Sequence, residues 1–570
     1  MRRLLAHYML PQWPWVALLG LLSCSGIGLD VLNPQVMRRF VDGALAGDAM
    51  PVLLGQGGIY LAIAVSSELL WIGESHLAQL AAWTATNELR AEATAHLLRL
   101  DLRYFHRHPP GELIDRIDGD VTRLAGFLSD MAVMVIGQSL LAVGILAALF
   151  WQDWVAGLAF AIFCTVAVLC VRPLVGQAAP LVHEGRKAGA DILGYLEERL
   201  GATEDLRANG AVAYAMGGLR DRLAAQFGIV RRARSVLIRW PASVQGLMGL
   251  GLAMALALGA LLYVNHRATV GSALVLVAYM QMLRAPLMNI SSQFQGFEET
   301  LASIRRICWM LDESSEIAGG SAHMTSAPLA LQFVDVSFSY EDGGEGLHDL
   351  SFRLEAGECL GVIGRTGSGK TTLTRLIFRF YDPEQGRIEL GGADLRSLRL
   401  DSLRRHVGLV TQDVQVFHAS VRDNVTFWDP AVSDDRVLLA LHALGLGAWY
   451  RSLPDGLDTV IGTGGRGLSA GEAQLLAFIR VFLRNPGLVV LDEATSRLDP
   501  LTERVIETST DRLLSGRTAV VVAHRLRTLS KVDKVLALAD GRAVELGRRT
   551  ELEASPASEL SRLLAATEPV

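Results

Sequence analysis

The sequence predicts a chain of two unlike parts: an all-α membrane domain of six helices, followed by an α/β domain built on a largely parallel sheet. Three observations carry that reading. Apolar residues make up 51% of the 570 positions, and they gather in long runs within the first half. The second half alternates strand-like runs with helical stretches. Between two of those elements lies GRTGSGKT, Gly364–Thr371, a glycine-rich turn that ends in a lysine and a hydroxyl.

Crossing a bilayer takes about 20 largely apolar residues. The runs that qualify are Trp13–Leu32, Val52–Ile72, Leu128–Trp151, Trp154–Val175, Pro241–Val264 and Val270–Ile290. The opening MRRLLAHYML leads into a first membrane helix rather than a signal peptide. Its apolar run passes Cys24 and reaches Leu32 without a small-residue cleavage pattern. Arginines set the orientation. Arg90, Arg99, Arg103, Arg107, Arg116 and Arg123 stand between the second and third runs, and Arg231, Arg232 and Arg234 lie among the basic residues between the fourth and fifth. The turn Trp151–Trp154 has no basic residue. Both termini and both long connections are therefore expected in the cytosol.

The two connections keep helical periodicity and are expected to carry the membrane helices beyond the lipid. Each is broken where a short transverse helix fits, near Pro110–Ile117 and near Gly201–Val212. Residues 1–312 form the expected membrane domain. A linker follows over 313–328, where GGSAHMTSAP has a small, polar composition. The α/β domain takes 329–570, with strand-like LQFVDVSFSY, ECLGVIG, HVGLVTQ, GLVVLDE, TAVVVAH and KVLALAD. The five cysteines lack metal-ligand spacing and read as packing residues. A net charge of −6 gives no sign of a nucleic-acid partner.

The turn at Gly364–Thr371 follows a strand and opens a helix, the context a phosphate-binding loop requires. Glycines at Gly364, Gly367 and Gly369 let the backbone of Arg365, Thr366 and Ser368 turn its N–H groups toward phosphates. Lys370 reaches the β- and γ-phosphates of a bound nucleotide. Thr371 holds Mg²⁺, and Thr372 continues the helix start. LVVLDE ends an apolar strand in two carboxylates: Asp492 assists Mg²⁺, and Glu493 is placed to polarise an attacking water. A second polar turn, LSAGE at Leu468–Glu472, opens another helix.

Phosphate loop, LSAGE, LDEATSRLD and VVAHRL, in that order after six spans, resemble an ATP-binding-cassette exporter half-transporter over essentially the whole chain. The resemblance implies the type I exporter (type IV transporter) fold. It also implies ATP and Mg²⁺ as ligands, a second half-transporter subunit, surrounding membrane lipids, and residence in the inner membrane with the cassette in the cytoplasm. Each ATP would be clamped between one subunit's phosphate loop and the other's LSGGQ-type turn, here Ser469, Ala470, Gly471 and Glu472. By the same resemblance Tyr340 stacks on adenine, and Gln412 senses Mg²⁺ and the attacking water. Ser496 and Asp499 cross the dimer interface, and His524 senses the γ-phosphate. The transverse helices would dock beside Gln412 and relay cassette closure to alternating access of the membrane domain.

Two departures from the family turn stand out. Ala470 replaces a glycine and Glu472 a glutamine. A Cβ where φ must be positive costs about 1 kcal/mol, and a carboxylate near a γ-phosphate is repelled unless it points away. Together they point to a heterodimer whose LSAGE-completed site is the slower one, with a homodimer as the alternative. The cargo is expected to be a lipophilic or amphipathic small molecule. Asp30 and Glu68 either line a polar pathway or pair structurally. Import on the same fold, as in siderophore uptake, stays open, as does a regulatory half with one slow site. The six spans dismiss a soluble DNA-repair-type cassette.

Overall fold

The computed structural model describes residues 8, 10–130, 135–324, 328–341, 343, 344, 346–462, 465, 467–492, 500–523 and 529–565. For residues 10, 130, 171–179, 182, 183, 237, 240, 241, 288–298, 500, 501, 563 and 565 it describes the backbone alone. The chain divides into two units: Met1–Arg99 with His108–Ser314, and Leu100–Arg107 with Ser315–Val570.

In chain order the helices are α1 (Trp13–Ala46), α2 (Met50–Leu97), α3 (Leu102–Arg107), α4 (Pro110–Ile114), α5 (Val121–Asp130), α6 (Gln138–Gln152), α7 (Trp154–Gly201), α8 (Thr203–Ala208), α9 (Val212–Leu237), α10 (Arg239–Val264), α11 (Val270–Met282) and α12 (Arg284–Asp312). All but α3 belong to the first unit. Among the described residues, five stretches are long and apolar enough to cross a membrane: α1, α2, Val135–Gln152, Ala242–Val264 and Val270–Leu287. The remaining expected run, shorter as an apolar stretch at Trp154–Cys170, opens α7.

Leu21, Leu54, Leu61, Leu69 and Trp71 point outward from α1 and α2, as suits helices whose solvent is hydrocarbon. Trp151 is 93% exposed at a helix turn, where an amphipathic ring meets the interface. Helices α2 and α7 have 48 residues each. At 1.5 Å per residue they run about 70 Å, more than twice a hydrocarbon core of about 30 Å. The two long connections are thus helices that leave the lipid.

The break near Pro110 differs in detail from expectation. Pro109 is extended (ψ 149°) and Pro110 occupies the first turn of α4, the position where a missing N–H costs nothing. The prolines therefore start the returning helix. The segment that joins the second unit lies just before them, at Leu100–Arg107.

After α4 the chain makes a wide, π-type turn at Asp115–Asp120 that delivers Asp120 into the protein. Asp120 is fully buried. Its carboxylate accepts from Arg306 Nε at 2.7 Å and Nη2 at 2.5 Å, from Ser303 Oγ at 2.8 Å, and from Arg123. Leu89, Val121, Leu124, Ile304 and Ile307 form the apolar cluster of the same region. Burial pushes the Asp120 carboxyl up, but the bonds from Arg306 and Ser303 outweigh it and hold it below the ordinary Asp range.

The second unit holds two sheets. Its strands are β1 (Leu331–Phe338), β2 (Leu347–Leu354), β3 (Cys359–Ile363), β4 (Gln385–Leu390), β5 (Ala393–Asp394), β6 (Val407–Val410), β7 (Leu488–Asp492), β8 (Thr518–Val522), β9 (Lys534–Ala539) and β10 (Arg542–Arg548). One sheet has the antiparallel order β2-β1-β4-β5, the other the order β10-β9-β3-β8-β7-β6. The second is parallel from β9 to β6, with β10 antiparallel on its edge. Strand β8 is buried throughout, as expected of parallel strands covered on both faces.

GGSAHMTSAP is not loose over its first half. Gly320 N–H donates to Leu398 O and Ala322 N–H to Ser397 O, both at 3.0 Å. A Cβ on Gly320 would sit 2.0 Å from Ser397 O. The small residues there permit close backbone approach. All five cysteines are free thiols; Cys24 and Cys170 are exposed, and burial pushes the Cys359 thiol up to about 12.

The Asp120 cluster yields a stability prediction. Asp120→Asn should lower the stability of the detergent-purified protein by about 2 kcal/mol at neutral pH, measured by thermal unfolding. Because the folded carboxyl titrates below its unfolded value, the wild-type advantage is complete above about pH 4 and fades as pH falls below it. An advantage that grew on acidification would contradict this assignment.

Candidate nucleotide site

The site gathers on the carboxyl edge of the parallel sheet, where open α/β folds hold ligands. Strand register aligns Val362 of β3, Val522 of β8 and Asp492 of β7 in one row. The chain turns from β3 into Gly364–Gly369, and Gln412 follows β6. Three of the expected elements thus share one edge.

The loop from Gly364 to Gly369 curls back on itself. Gly369 has φ +98°, and a Cβ there would lie 2.7 Å from Leu347 Cδ2, so only glycine suits this position. It caps the helix α13 (Lys370–Ile377). Lys370 is 7% exposed, and its ammonium donates to the carbonyls of Gly364 and Arg365, both at 2.7 Å. Arg365 and Thr366 are exposed at the loop tip, Thr371 is exposed on the first turn, and Thr372 is buried behind it. Among the described residues, Ser368 Oγ is buried without a hydrogen-bond partner. A buried orphan hydroxyl inside a nest of backbone amides fits a phosphate oxygen, which would satisfy it.

Tyr340 lies just past β1. Its hydroxyl accepts from Arg375 Nη1 at 3.1 Å, and its ring meets Phe338 and Tyr381 edge to face, with centroids 4.9 and 5.4 Å away. It lines a cavity of about 490 Å³ together with Thr371, Thr372, Arg375 and Tyr381. Arg103, His106 and Arg107 of α3 complete the wall. Sequence reasoning missed these three. Arg107 stands 234 positions from its partner Glu341, so no local pattern could reveal it. Arg375 was open to notice, one helical turn after Thr371 on the same helix.

The segment α3 lies on the Tyr340 side of the cassette: Leu102 packs on the core cluster that includes Phe338 and Tyr381. Gln412 itself is exposed, and Asp492 is half-buried at the end of its strand. Glu493, Ser496, Asp499 and His524 lie outside the described residues.

LSAGE opens the helix α14 (Ala470–Arg484). Ser469 caps it, its Oγ accepting from Glu472 N–H at 3.2 Å. Glu472 returns the bond, its Oε2 accepting from Ser469 N–H at 2.7 Å, while Oε1 accepts from Trp449 Nε1 at 3.2 Å. This is a complete capping box. The expected strain penalty falls away. Ala470 is the first helical residue and is not among the described positive-φ positions, so its Cβ carries no strain. The Glu472 carboxylate is engaged by its own turn and by an indole. Ser469 and Ala470 are exposed, and Gly471 is buried.

Comparison with known proteins agrees with this geometry. The family profile described as ABC transporter matches residues 347–496, and that of the ABC transporter transmembrane region matches 16–287. A protein of Chromobacterium violaceum named ATP-dependent lipid A-core flippase is 31% identical over 97% of this chain and 94% of its own length. An uncharacterized ABC transporter ATP-binding protein, YfiC of Bacillus subtilis, is 29% identical over 94% of this chain and 87% of its own. The solved structure of a bacterial Atm1-family ABC exporter with ATP bound shares the fold, with a TM-score of 0.83 and 24% identity over 98% of both chains. Membrane helices and a phosphate-loop cassette fused in one polypeptide, matched along nearly its full length, make this chain a member of the ABC transporter family, a multi-pass membrane half-transporter of exporter fold that hydrolyses ATP to drive transport.

Proposed function

We propose that the chain works as a dimer in the inner membrane, with cassettes in the cytoplasm, moving a lipid-like amphiphile outward by alternating access. Each ATP is held between the loop Gly364–Thr372 of one subunit and the turn Ser469–Glu472 of the other. The observation that carries this reading is the capping box. It uses the amides of Ser469 and Glu472, so those of Ala470 and Gly471 are not spent on the cap. They open a 15-residue helix whose N-terminal dipole favours an anion.

Within this reading Lys370 moves from the loop carbonyls to the β- and γ-phosphates, and Ser368 Oγ meets a phosphate oxygen. Tyr340 stacks on the base. A hydroxyl at Thr371, an amide oxygen at Gln412 and a carboxylate at Asp492 are the hard oxygen donors that suit Mg²⁺. When bound, the ion neutralises phosphate charge. Glu493 polarises the attacking water, His524 contacts the γ-phosphate, and Asp499 meets the partner across the interface.

The case for an unlike partner rests on Ala470 and Glu472. With Ala470 helical and Glu472 bound to its own turn, the two composite sites can be equivalent, which favours a pair of identical chains over a heterodimer. The amphiphile follows from apolar helix faces and from relatives named as lipid A-core flippases. Asp30 receives a hydrogen bond from Ser67 across α1 and α2, which supports a tie between helices in place of a pathway role.

Three outcomes are expected. Expressed alone and reconstituted in liposomes, the chain should form a dimer whose ATPase responds to lipid amphiphiles but not to small hydrophilic solutes. A monomer with undiminished ATPase on dilution would overturn the clamp. Glu493→Gln should cut turnover by about a hundredfold or more while ATP still binds, read by ATPase assay and nucleotide retention. Glu472→Gln should keep turnover within about twofold, whereas Glu472→Ala should lower cassette stability by about 1 kcal/mol, read by thermal unfolding.

A further inference from the structure

The cavity beside Tyr340 has a wall that the cassette sequence does not supply. Leu100–Arg107 comes from between two stretches of membrane-unit sequence, yet it belongs to the cassette unit. It is fastened there by several bonds. Leu102 packs on the sheet core. Asp101 Oδ2 accepts from Glu316 N–H at 2.9 Å. Arg103 pairs with Glu316 and, at 3.5 Å, with Glu341, while Arg107 also pairs with Glu341. Glu341 is thus gripped by two guanidinium groups of one helix turn, and it is the residue directly after Tyr340.

We propose that Arg103 and Arg107 are positioning residues for nucleotide binding: by holding Glu341 they fix the Tyr340 ring at the cavity, and so set the affinity for the base of the nucleotide. This rests on the reading of Tyr340 as the base-stacking residue. The physical reason is local. Tyr340 and Glu341 lie past the end of β1 at Phe338, so the ring lacks a sheet ladder to orient it. One side of the ring is braced by Phe338 and Tyr381, and Arg375 reaches its hydroxyl. The Tyr340 carbonyl accepts from Gly343 N–H at 3.1 Å, and the ion cluster from α3 adds a side-chain hold on Glu341. Stacking on a fixed ring avoids the entropy loss of ordering it at the moment of binding. The triphosphate end is held by the phosphate loop and Lys370, so the loss of affinity on breaking the cluster is expected at the base.

The test uses the full-length reconstituted protein, with the KM for ATP and the inhibition constant of inorganic tripolyphosphate as paired readouts. Arg103→Ala/Arg107→Ala should raise the KM for ATP about fivefold, the scale of two partly exposed ion pairs. It should leave turnover at saturating ATP within about twofold and tripolyphosphate inhibition unchanged. The charge exchange Arg107→Glu/Glu341→Arg should restore most of the affinity lost in Arg107→Glu. Tyr340→Ala serves as the reference. If it raises the KM for ATP while the double arginine variant does not, the positioning role is wrong and the stacking reading stands. If Tyr340→Ala leaves the KM unchanged, the stacking reading fails and this inference with it. Equal weakening of ATP and tripolyphosphate would assign the arginines to the fold of the cassette and overturn the inference.

Discussion

Hydrocarbon offers a backbone amide no partner, and the membrane half of this chain is arranged around that constraint. Every crossing is a helix because a helix satisfies its own N–H and C=O groups. Continuing those helices past the lipid adds one hydrogen bond per residue, so α2 and α7 extend as single rods well beyond the membrane. Where a rod must turn back, the chain uses local devices: prolines at the start of α4, and the wide turn that buries Asp120. A buried carboxylate is tolerated there because Arg306, Arg123 and Ser303 meet it at once.

The cassette obeys a related rule with phosphate in place of lipid. Its parallel strands end on one edge, and the polar groups gather where those strands stop. A loop whose amides face inward and a helix whose first turn is open are two forms of one solution, an anion met by backbone N–H groups and a dipole. In the proposed dimer, the phosphate loop of one cassette would meet the helix start of the other.

Much of this was legible in the sequence. The six runs, the strand order of the chemistry and the loop Gly364–Thr371 rest on periodicity and on residue types that few other structures need. The misreadings have physical causes. Ala470 was assigned a strained backbone because glycine in the family turn suggests positive φ, whereas the position is the first residue of a helix, where alanine is favoured. Glu472 was judged by its charge alone, although Ser-x-x-Glu is itself a capping box, and that pattern stands in the sequence. GGSAHMTSAP reads as a linker by composition, which does not distinguish flexible stretches from the close contacts that Gly320 makes. The wall of Arg103, His106 and Arg107 was hidden because it forms only when distant sequence is folded together.

The chain passes between its two units at Arg99–Leu100, at Arg107–His108 and at Ser314–Ser315. A cassette cut out after the last of these would lose Leu102 from its core and both counter-ions of Glu341. Recombination between transporters of this kind therefore has no single clean seam. A functional chimera would have to carry a short insert from the middle of one membrane domain, the counterpart of Leu100–Arg107, along with the foreign cassette.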